Sequence, residues 1–257
     1  MNRKKYQSYL WPLLGVSGFL LLWQLLALYV VRKSWLLPSL GQTLQAFGRN
    51  LPLLLRHSQY TLLEAGLGLL LSALLALVLA GLVSLSRPLR QALYPLLLLS
   101  QMVPIVVLAP LFLIWFGYGV PPKVLVAVLI CFFPMVVAAI SGLDAADGET
   151  CAFYRALGMS KRQLFLKVRL PLAWPYFFSG LRVSAAYAVM GAVIGEWLGA
   201  EAGLGLLLTR AQRSYDLPLV FAAIIAIILW SALLFALVAL AERRCLGWRQ
   251  RINENWD

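Results

Sequence analysis

An all-α membrane protein with about six spanning helices is the fold class that this sequence predicts, for three reasons. Hydrophobic residues make up 62% of the 257 residues and charged residues only 12%, whereas soluble domains carry roughly 25% charged residues. Several apolar runs reach the roughly 20 residues that cross a hydrocarbon layer of about 30 Å. The basic residues behind the net charge of +12 gather at the ends of these runs. That placement is typical of side chains that face lipid headgroups, and it argues against nucleic-acid binding.

Six apolar runs are predicted to cross the membrane. They lie at about 10–31, 60–84, 92–116, 121–141, 172–198 and 217–241. The first follows a basic start like that of a signal peptide, but it is too long for a signal-peptide core, so we expect it to be retained as a span. Lys and Arg are more numerous on the side that holds both ends of the chain, and this predicts that both termini are cytoplasmic. A seven-span count would move the C-terminus outside, against the charge distribution.

The segment between the first two spans is apolar but broken by Pro38, Gly41, Gly48 and Pro52. These breaks favour a short helix on the outer surface over another crossing.

The third span is interrupted by Pro95, Pro104 and Pro110. Prolines leave backbone carbonyls without partners, which is tolerated at membrane depth only where protein or a cavity satisfies them. We therefore expect this span to line a path or to pack centrally. The polar lining is predicted to come from three neighbouring residues: Ser100, Gln101 and Met102. Hydrogen bonding of the Ser and Gln side chains between helices is the alternative.

Two carboxylates fall within the predicted spans, Glu64 in the second and Glu196 near the outer end of the fifth. Charged groups in spans usually face a partner or water because burying them is costly. Glu196 is a candidate for gating or for the polarity of the pathway, and a structural ion pair or interfacial exposure are the alternatives. The central spans lack clustered arginines, which favours a neutral or weakly charged ligand.

No catalytic or metal site is predicted in this chain. The three cysteines, Cys131, Cys151 and Cys245, are far apart, and His57 is the single histidine. This pattern indicates neither a disulfide framework nor a zinc site. None of the lysines follows a glycine, so no Walker A loop for ATP is predicted.

The stretch of about 142–171, which we call the elbow, is predicted to form two short helices joined at a fixed angle. Asp147 suits the N-cap of the first helix, and Gly158 suits the left-handed residue that ends it. Ser160 and Gln163 have the spacing of a capping box, so a second helix should start at once.

The second helix of the elbow is predicted to have an apolar side and a basic side. Its apolar side comprises Leu164, Phe165 and Val168, and its basic side comprises Lys161, Arg162 and Lys167. Such a helix suits the anionic cytoplasmic face of a membrane. Leu170 and Pro171 are expected to end it and to redirect the chain into the fifth span. The elbow suits the transmission of force from a soluble partner, and a well-folded loop without that role is the alternative.

The pattern G-x9-V-x-L-P, formed by Gly158, Val168, Leu170 and Pro171, resembles the second half of the EAA motif of permease subunits in binding-protein-dependent ABC importers. The first half departs from that motif, because Ala152–Tyr154 reads Ala-Phe-Tyr where the family has Glu-Ala-Ala. Phrases such as "LAPLFLIWFGYG" and "GAVIGEWLGA" are similar to nitrate-, sulfonate- and taurine-type permeases. They are closest to the branch associated with pyrimidine precursors of thiamine.

This resemblance implies a type I importer permease fold, with one transmembrane domain over residues 1–257. It also implies that the elbow is a coupling helix that docks on a cytoplasmic ATPase. The implied coupling residues are Tyr154, Arg155, Ala156, Leu157, Gly158, Met159, Ser160, Lys161 and Arg162, with Val168, Leu170 and Pro171 as motif residues.

The resemblance further implies partners and a cargo. The partners are an ATPase dimer that binds ATP and Mg²⁺, an extracytoplasmic binding protein and a second permease copy, in a bacterial inner membrane. The implied cargo is a thiamine-related pyrimidine precursor or a similar aromatic metabolite. Two alternatives are a sulfonate-, taurine- or nitrate-type anion as cargo and an ion-coupled secondary transporter. A secondary transporter should show inverted repeats and midplane carboxylates.

Overall fold

The structure is a computed structural model, and it describes residues 3–31, 36–146 and 148–247. Within these ranges the regular elements are helical. They are α1 (Arg3–Leu25) with a π-helical continuation (Leu26–Val31), α2 (Leu40–Arg49), α3 (Leu51–Leu85), α4 (Arg87–Ser100), α5 (Ile105–Phe116), α6 (Val120–Asp144), α7 (Gly148–Ala156), α8 (Lys161–Leu164), a π-helical segment (Phe165–Arg169), α9 (Leu170–Glu196), α10 (Leu204–Arg213) and α11 (Leu217–Cys245). Asp147, the predicted N-cap, lies outside the described residues.

The number of membrane-length helices agrees with the predicted fold class. Among the described residues, five helical stretches are long and apolar enough to cross a membrane, and a bent pair, α4 and α5, makes up to six. The second span begins at Leu51, earlier than predicted, because Pro52 occupies the first turn of α3, where its missing N–H is harmless.

The third predicted span is not one straight helix. Residues 101–104 separate α4 from α5, and the two helices meet at 97°. Pro104 has no N–H to donate, so it cannot continue the helix of α4. It is instead the N-cap residue that precedes α5. The prediction of central packing is wrong within one chain. Both helices lie at its edge, and side chains such as Val106 (61%) and Ile114 (76%) are exposed.

The centre of the fold consists of α3, α6 and α9, which pack through small residues. A Cβ at Gly191 would lie 2.9 Å from the Cα of Ala127, so α6 and α9 approach closely. Ser184 Oγ donates to the Cys131 carbonyl at 2.7 Å, and Ser72 Oγ donates to the Val128 carbonyl at 2.9 Å. Close backbone approach and hydrogen bonds between helices are the interactions that hold membrane bundles together.

The predicted short helix between the first two spans is α2. It starts with a capping box in which Ser39 Oγ accepts from the Gln42 N–H and the Gln42 side chain accepts from the Ser39 N–H. It also holds α1, because the Leu40 N–H donates to Gln24 Oε1 at 3.0 Å and Trp23 Nε1 donates to the Pro38 carbonyl at 3.1 Å.

The predicted stop at Leu170-Pro171 is wrong, because the second helix of the elbow runs on into α9. The continuous helical stretch Lys161–Glu196 has 36 residues. Its π-helical turn immediately precedes the proline, and the Leu170 N–H donates to the Phe165 carbonyl, five residues back. A widened turn accommodates the carbonyl that Pro171 cannot pair with, so the helix continues where an α-helix would kink.

Candidate functional sites

The elbow has the fixed backbone geometry that the sequence predicts. The first helix ends in a Schellman motif, in which the Gly158 N–H donates to the Arg155 carbonyl at 2.9 Å and the Met159 N–H to the Tyr154 carbonyl at 3.1 Å. Gly158 has φ +87°, a conformation that strains any residue with a Cβ. The Ser160 capping box then opens α8. A short, fully hydrogen-bonded link therefore joins the two helices.

The side chains of the elbow divide between a buried base and an exposed tip. Leu164 and Val168 are buried, at 3% and 9% exposure, and anchor the elbow to the bundle. Phe153 and Leu157 are 61% and 65% exposed. An apolar tip on a rigid unit has the character of a contact surface for another protein.

A cluster of charges, which we call the clamp, connects the base of the elbow to α4 and α6. Arg90 and Asp144 form a bidentate pair, with Nη1–Oδ1 at 2.8 Å and Nη2–Oδ2 at 2.6 Å. Arg169 donates from Nε to the Leu143 carbonyl at 3.0 Å, and its Nη2 lies 3.9 Å from Asp144 Oδ1. A displacement of the elbow would therefore act directly on the start of the bent pair.

A groove runs between the elbow and the end of α3, and we call it the basic groove. Its volume is about 580 Å³. The residues that line it are Ser84, Cys151, Arg155, Lys161, Arg162, Leu164, Phe165 and Arg169. It thus brings together three of the predicted coupling residues.

A second groove, which we call the central groove, opens beside the break between α4 and α5. It has a volume of about 340 Å³ and is lined by Gln101, Phe133, Pro134, Val137, Ala138, Ser179, Gly180 and Val183. None of these residues carries a formal charge. Pro134 and Phe133 lie near the middle of α6, so the groove opens at about half the depth of the bundle.

The structure separates the residues predicted to line the pathway. Gln101 lines the central groove, whereas Ser100 and Met102 are not among its lining residues. Ser100 Oγ donates to the Leu97 carbonyl at 2.8 Å within its own helix, and Met102 is 74% exposed. Glu196 lies roughly 20 Å farther along α9 than Val183, at a rise of about 1.5 Å per residue.

Glu196 instead belongs to a buried ionic cluster with Glu64 and Lys123. Lys123 Nζ lies 3.1 Å from Glu64 Oε1, and both side chains are at least nine-tenths buried. The carboxyl groups of Glu64 and Glu196 are neighbours in this cluster. Exposure of the two glutamates is only 1% each. The 1% exposure of Glu196 argues against interfacial exposure. The ion pair of Lys123 is made with Glu64, so a role of Glu196 in gating or in the polarity of the pathway stays a prediction.

The ionic cluster also holds the turn that precedes α10. The Gly205 N–H donates to Glu196 Oε2, the Leu204 N–H donates to Thr61 Oγ1 at 2.8 Å, and the Gly203 N–H donates to His57 Nδ1 at 3.0 Å. A Cβ at Gly203 would overlap the Glu196 carboxyl group. Side chains of α3 and α9 thus tie this turn to the bundle.

Sequence reasoning missed three members of this network: His57, Thr61 and Lys123. Lys123 lies beside prolines at the start of a predicted span, a position that is typical of a lysine at the membrane interface. One feature of the sequence could have indicated its pairing with Glu64. Both residues lie near the starts of predicted spans and therefore at a similar depth in the membrane. Among the described residues no group of three or more His, Cys, Asp or Glu could hold a metal ion.

Comparisons with known proteins match this chain to one family model and to several relatives. The family model described as "Binding-protein-dependent transport system inner membrane component" matches residues 68–246. The formylaminopyrimidine transport permease protein of Halalkalibacterium halodurans is 36% identical, over 97% of this chain and 99% of the relative. The riboflavin transport system permease protein of Chloroflexus aurantiacus is 35% identical, over 95% and 94%. The taurine transport system permease protein of Escherichia coli K12 is 30% identical, over 74% and 71%.

Proposed function

This chain belongs to the family of binding-protein-dependent transport system inner membrane components, and from that premise we propose that it passes a small aromatic solute, such as a pyrimidine precursor of thiamine, in an ATP-driven importer. Members of this family are permease subunits and not enzymes. In ABC systems a separate ATPase binds ATP. The roles proposed for this chain are therefore passage of the cargo and contact with that ATPase.

The uncharged lining of the central groove is the observation that carries this proposal. Gln101 and Ser179 supply hydrogen-bonding groups, and the remaining lining residues are apolar. Such a surface suits a planar, weakly charged ring with polar edges, because apolar walls bury the ring and a few polar groups orient it. A sulfonate or nitrate ion would be desolvated there without a cationic partner, which is costly.

The names of the relatives support the same class of cargo. Formylaminopyrimidine and riboflavin, both aromatic nitrogen heterocycles, are named for two relatives that match almost the full chain at 36% and 35% identity. Aliphatic sulfonates are named for a third such relative at 31% identity. Taurine is named for the relative at 30% identity, and it keeps a sulfonate cargo as the second candidate.

In the proposed mechanism, the ATPase moves the elbow and the bundle follows. The predicted coupling residues, Tyr154–Arg162, form the tip that the ATPase holds. ATP binding and hydrolysis bring the two ATPase subunits together and apart, which shifts the permease between outward- and inward-facing states. Gly158 keeps the two helices of the elbow at a fixed angle, so that displacement is transmitted and not absorbed.

The other proposed partners are an extracytoplasmic binding protein, which delivers the cargo, and a second permease copy. The central groove is open on the side of the exposed bent pair. A second copy against this face would close the groove into a path at the interface between two chains.

Uptake of radiolabelled ligands into vesicles that contain this chain, its ATPase and its binding protein tests the cargo. We expect uptake of an aminopyrimidine and none of taurine. Gln101→Leu should lower the uptake about fivefold, the effect of one lost hydrogen bond of roughly 1 kcal/mol. Gln91→Leu, on α4 and outside the central groove, is the control. Uptake of taurine alone would overturn the cargo and leave the role as permease intact.

A further inference from the structure

The buried ionic cluster contains one more acidic group than basic groups. Glu64 and Glu196 are each 1% exposed, and their carboxyl groups are neighbours. Lys123, whose Nζ lies 3.1 Å from Glu64 Oε1, is the only salt-bridge partner that either carboxyl group has in the described ranges. Two ionised carboxylates would therefore leave one buried negative charge without a partner, which is costly in a protein interior.

The other basic side chains near the cluster do not supply the missing positive charge. His57, on α3, bonds through Nδ1 to the backbone of Gly203. Arg56 on α3 and Arg210 on α10 act on His57 through their charges, but both are exposed. In the part of the chain that the structure describes, none of these three side chains forms an ion pair with either glutamate.

The carboxyl oxygens of the two glutamates indicate what is missing. Glu64 Oε1 contacts Lys123, and Glu196 Oε2 accepts from the Gly205 N–H. The remaining oxygens, Glu64 Oε2 and Glu196 Oε1, are buried and have no hydrogen-bond donor among the described residues. A carboxylate can only accept hydrogen bonds, whereas a protonated carboxyl group donates one. One proton would thus supply both a positive charge and a donor.

Close packing holds the carboxyl groups in this cluster. A Cβ at Gly195 would lie 2.8 Å from the Cα of Lys123, so the backbones of α9 and α6 are in contact one residue before Glu196. On the other side, a Cβ at Gly203 would overlap the Glu196 carboxyl group. Neighbouring carboxyl groups that cannot move apart are the arrangement in which two acids share one proton.

We propose that Glu64 and Glu196 bind one proton between them, with Glu64 Oε2 and Glu196 Oε1 as the donor and acceptor atoms. The pair then carries a single negative charge, which Lys123 balances. Because Glu196 also accepts from the Gly205 N–H, the bound proton keeps the turn before α10 attached to the bundle. This inference does not depend on which cargo is transported.

Infrared spectroscopy of the full chain at neutral pH, in a detergent without ester groups, tests the site. Carboxyl groups in water are ionised at this pH, because their pKa values are about 4, so the carbonyl absorption of a protonated carboxyl group reports a buried proton. We expect this absorption in the wild type. Glu64→Gln and Glu196→Gln should each abolish it, because the remaining glutamate then balances Lys123 as a carboxylate. Glu201→Gln, at an exposed site, is the control and should leave the absorption unchanged.

Three results would overturn the proposal. The first is absence of the absorption from the wild-type chain, a result that does not depend on whether any variant folds. The second is its persistence in both Glu64→Gln and Glu196→Gln, which would place the proton on another residue. The third is its loss from the wild type when sodium chloride replaces choline chloride at constant pH, which would mean that a metal cation balances the second carboxylate.

Discussion

At the scale of single residues, the ion pair between Glu64 and Lys123 has the largest energetic consequence. Both side chains are almost completely buried, and an ionised group in such surroundings is tolerated only when an opposite charge compensates it. Glu64 Oε2 and Glu196 Oε1 have no hydrogen-bond donor among the described residues, and Lys123 is the cation that contacts this cluster, through Glu64 Oε1.

Lys123→Met is therefore expected to lower the free energy of unfolding by about 3–5 kcal/mol, because it leaves buried carboxylates without a cation. Adding Glu64→Gln to that variant should restore part of the loss, since the second change removes one of the uncompensated charges. Thermal unfolding in detergent measures both effects, with the exposed Glu201→Gln as control. Equal stability of Lys123→Met and wild type would show that the pair is not needed for folding.

At the scale of elements, the clamp joins the elbow to the bent pair. Arg90 begins α4, Asp144 ends α6 and Arg169 lies in the π-helical segment that leads into α9, so three elements meet at one carboxylate. An exposed ion pair adds little to stability, which suggests that the value of the clamp lies in coupling.

Asp144→Asn should thus leave thermal stability within about 1 kcal/mol while reducing cargo-stimulated ATP hydrolysis severalfold. Exchanging the charges in Arg90→Asp/Asp144→Arg should recover part of the stimulation. Glu149→Gln, on α7 of the elbow but outside the clamp, is the control. If Asp144→Asn couples as well as wild type, motion is transmitted by another route.

The elements differ in how far the sequence could predict them. The capping box of Ser160 and Gln163 and the left-handed Gly158 are local features, and both predictions are confirmed. Pro171 was predicted to end a helix, because nothing in the sequence shows that a π-helical turn can absorb a missing N–H. Lys123 could not be placed either, since its partner Glu64 lies on another helix and only tertiary packing brings the two together.

At the scale of the whole molecule, the topology depends on the bent pair. If α4 and α5 together cross the membrane once, the chain has six spans and both termini lie on the same side. If they form a re-entrant loop, it has five and the termini lie on opposite sides. The charge distribution favours the first arrangement.

Fusions of a fluorescent protein and of alkaline phosphatase to each terminus distinguish these topologies. We expect both termini to be cytoplasmic, so the fluorescent fusions should be bright and the phosphatase fusions inactive at either end. An active phosphatase at the C-terminus with a fluorescent N-terminus would indicate five spans, and α4 and α5 would then be a re-entrant loop.

In the proposed mechanism, the elbow transmits the energy of ATP hydrolysis to the permease bundle. The test of this transmission is an ATPase assay of the chain with its ATPase in lipid discs, run with and without loaded binding protein. The assay compares Gly158→Val with Gly148→Val. Of these two glycines, Gly158 alone has a positive φ, which strains any residue with a Cβ. Both positions have open space around them. We predict that loaded binding protein stimulates hydrolysis in the wild type and in Gly148→Val but not in Gly158→Val. Full stimulation in Gly158→Val would contradict the claim.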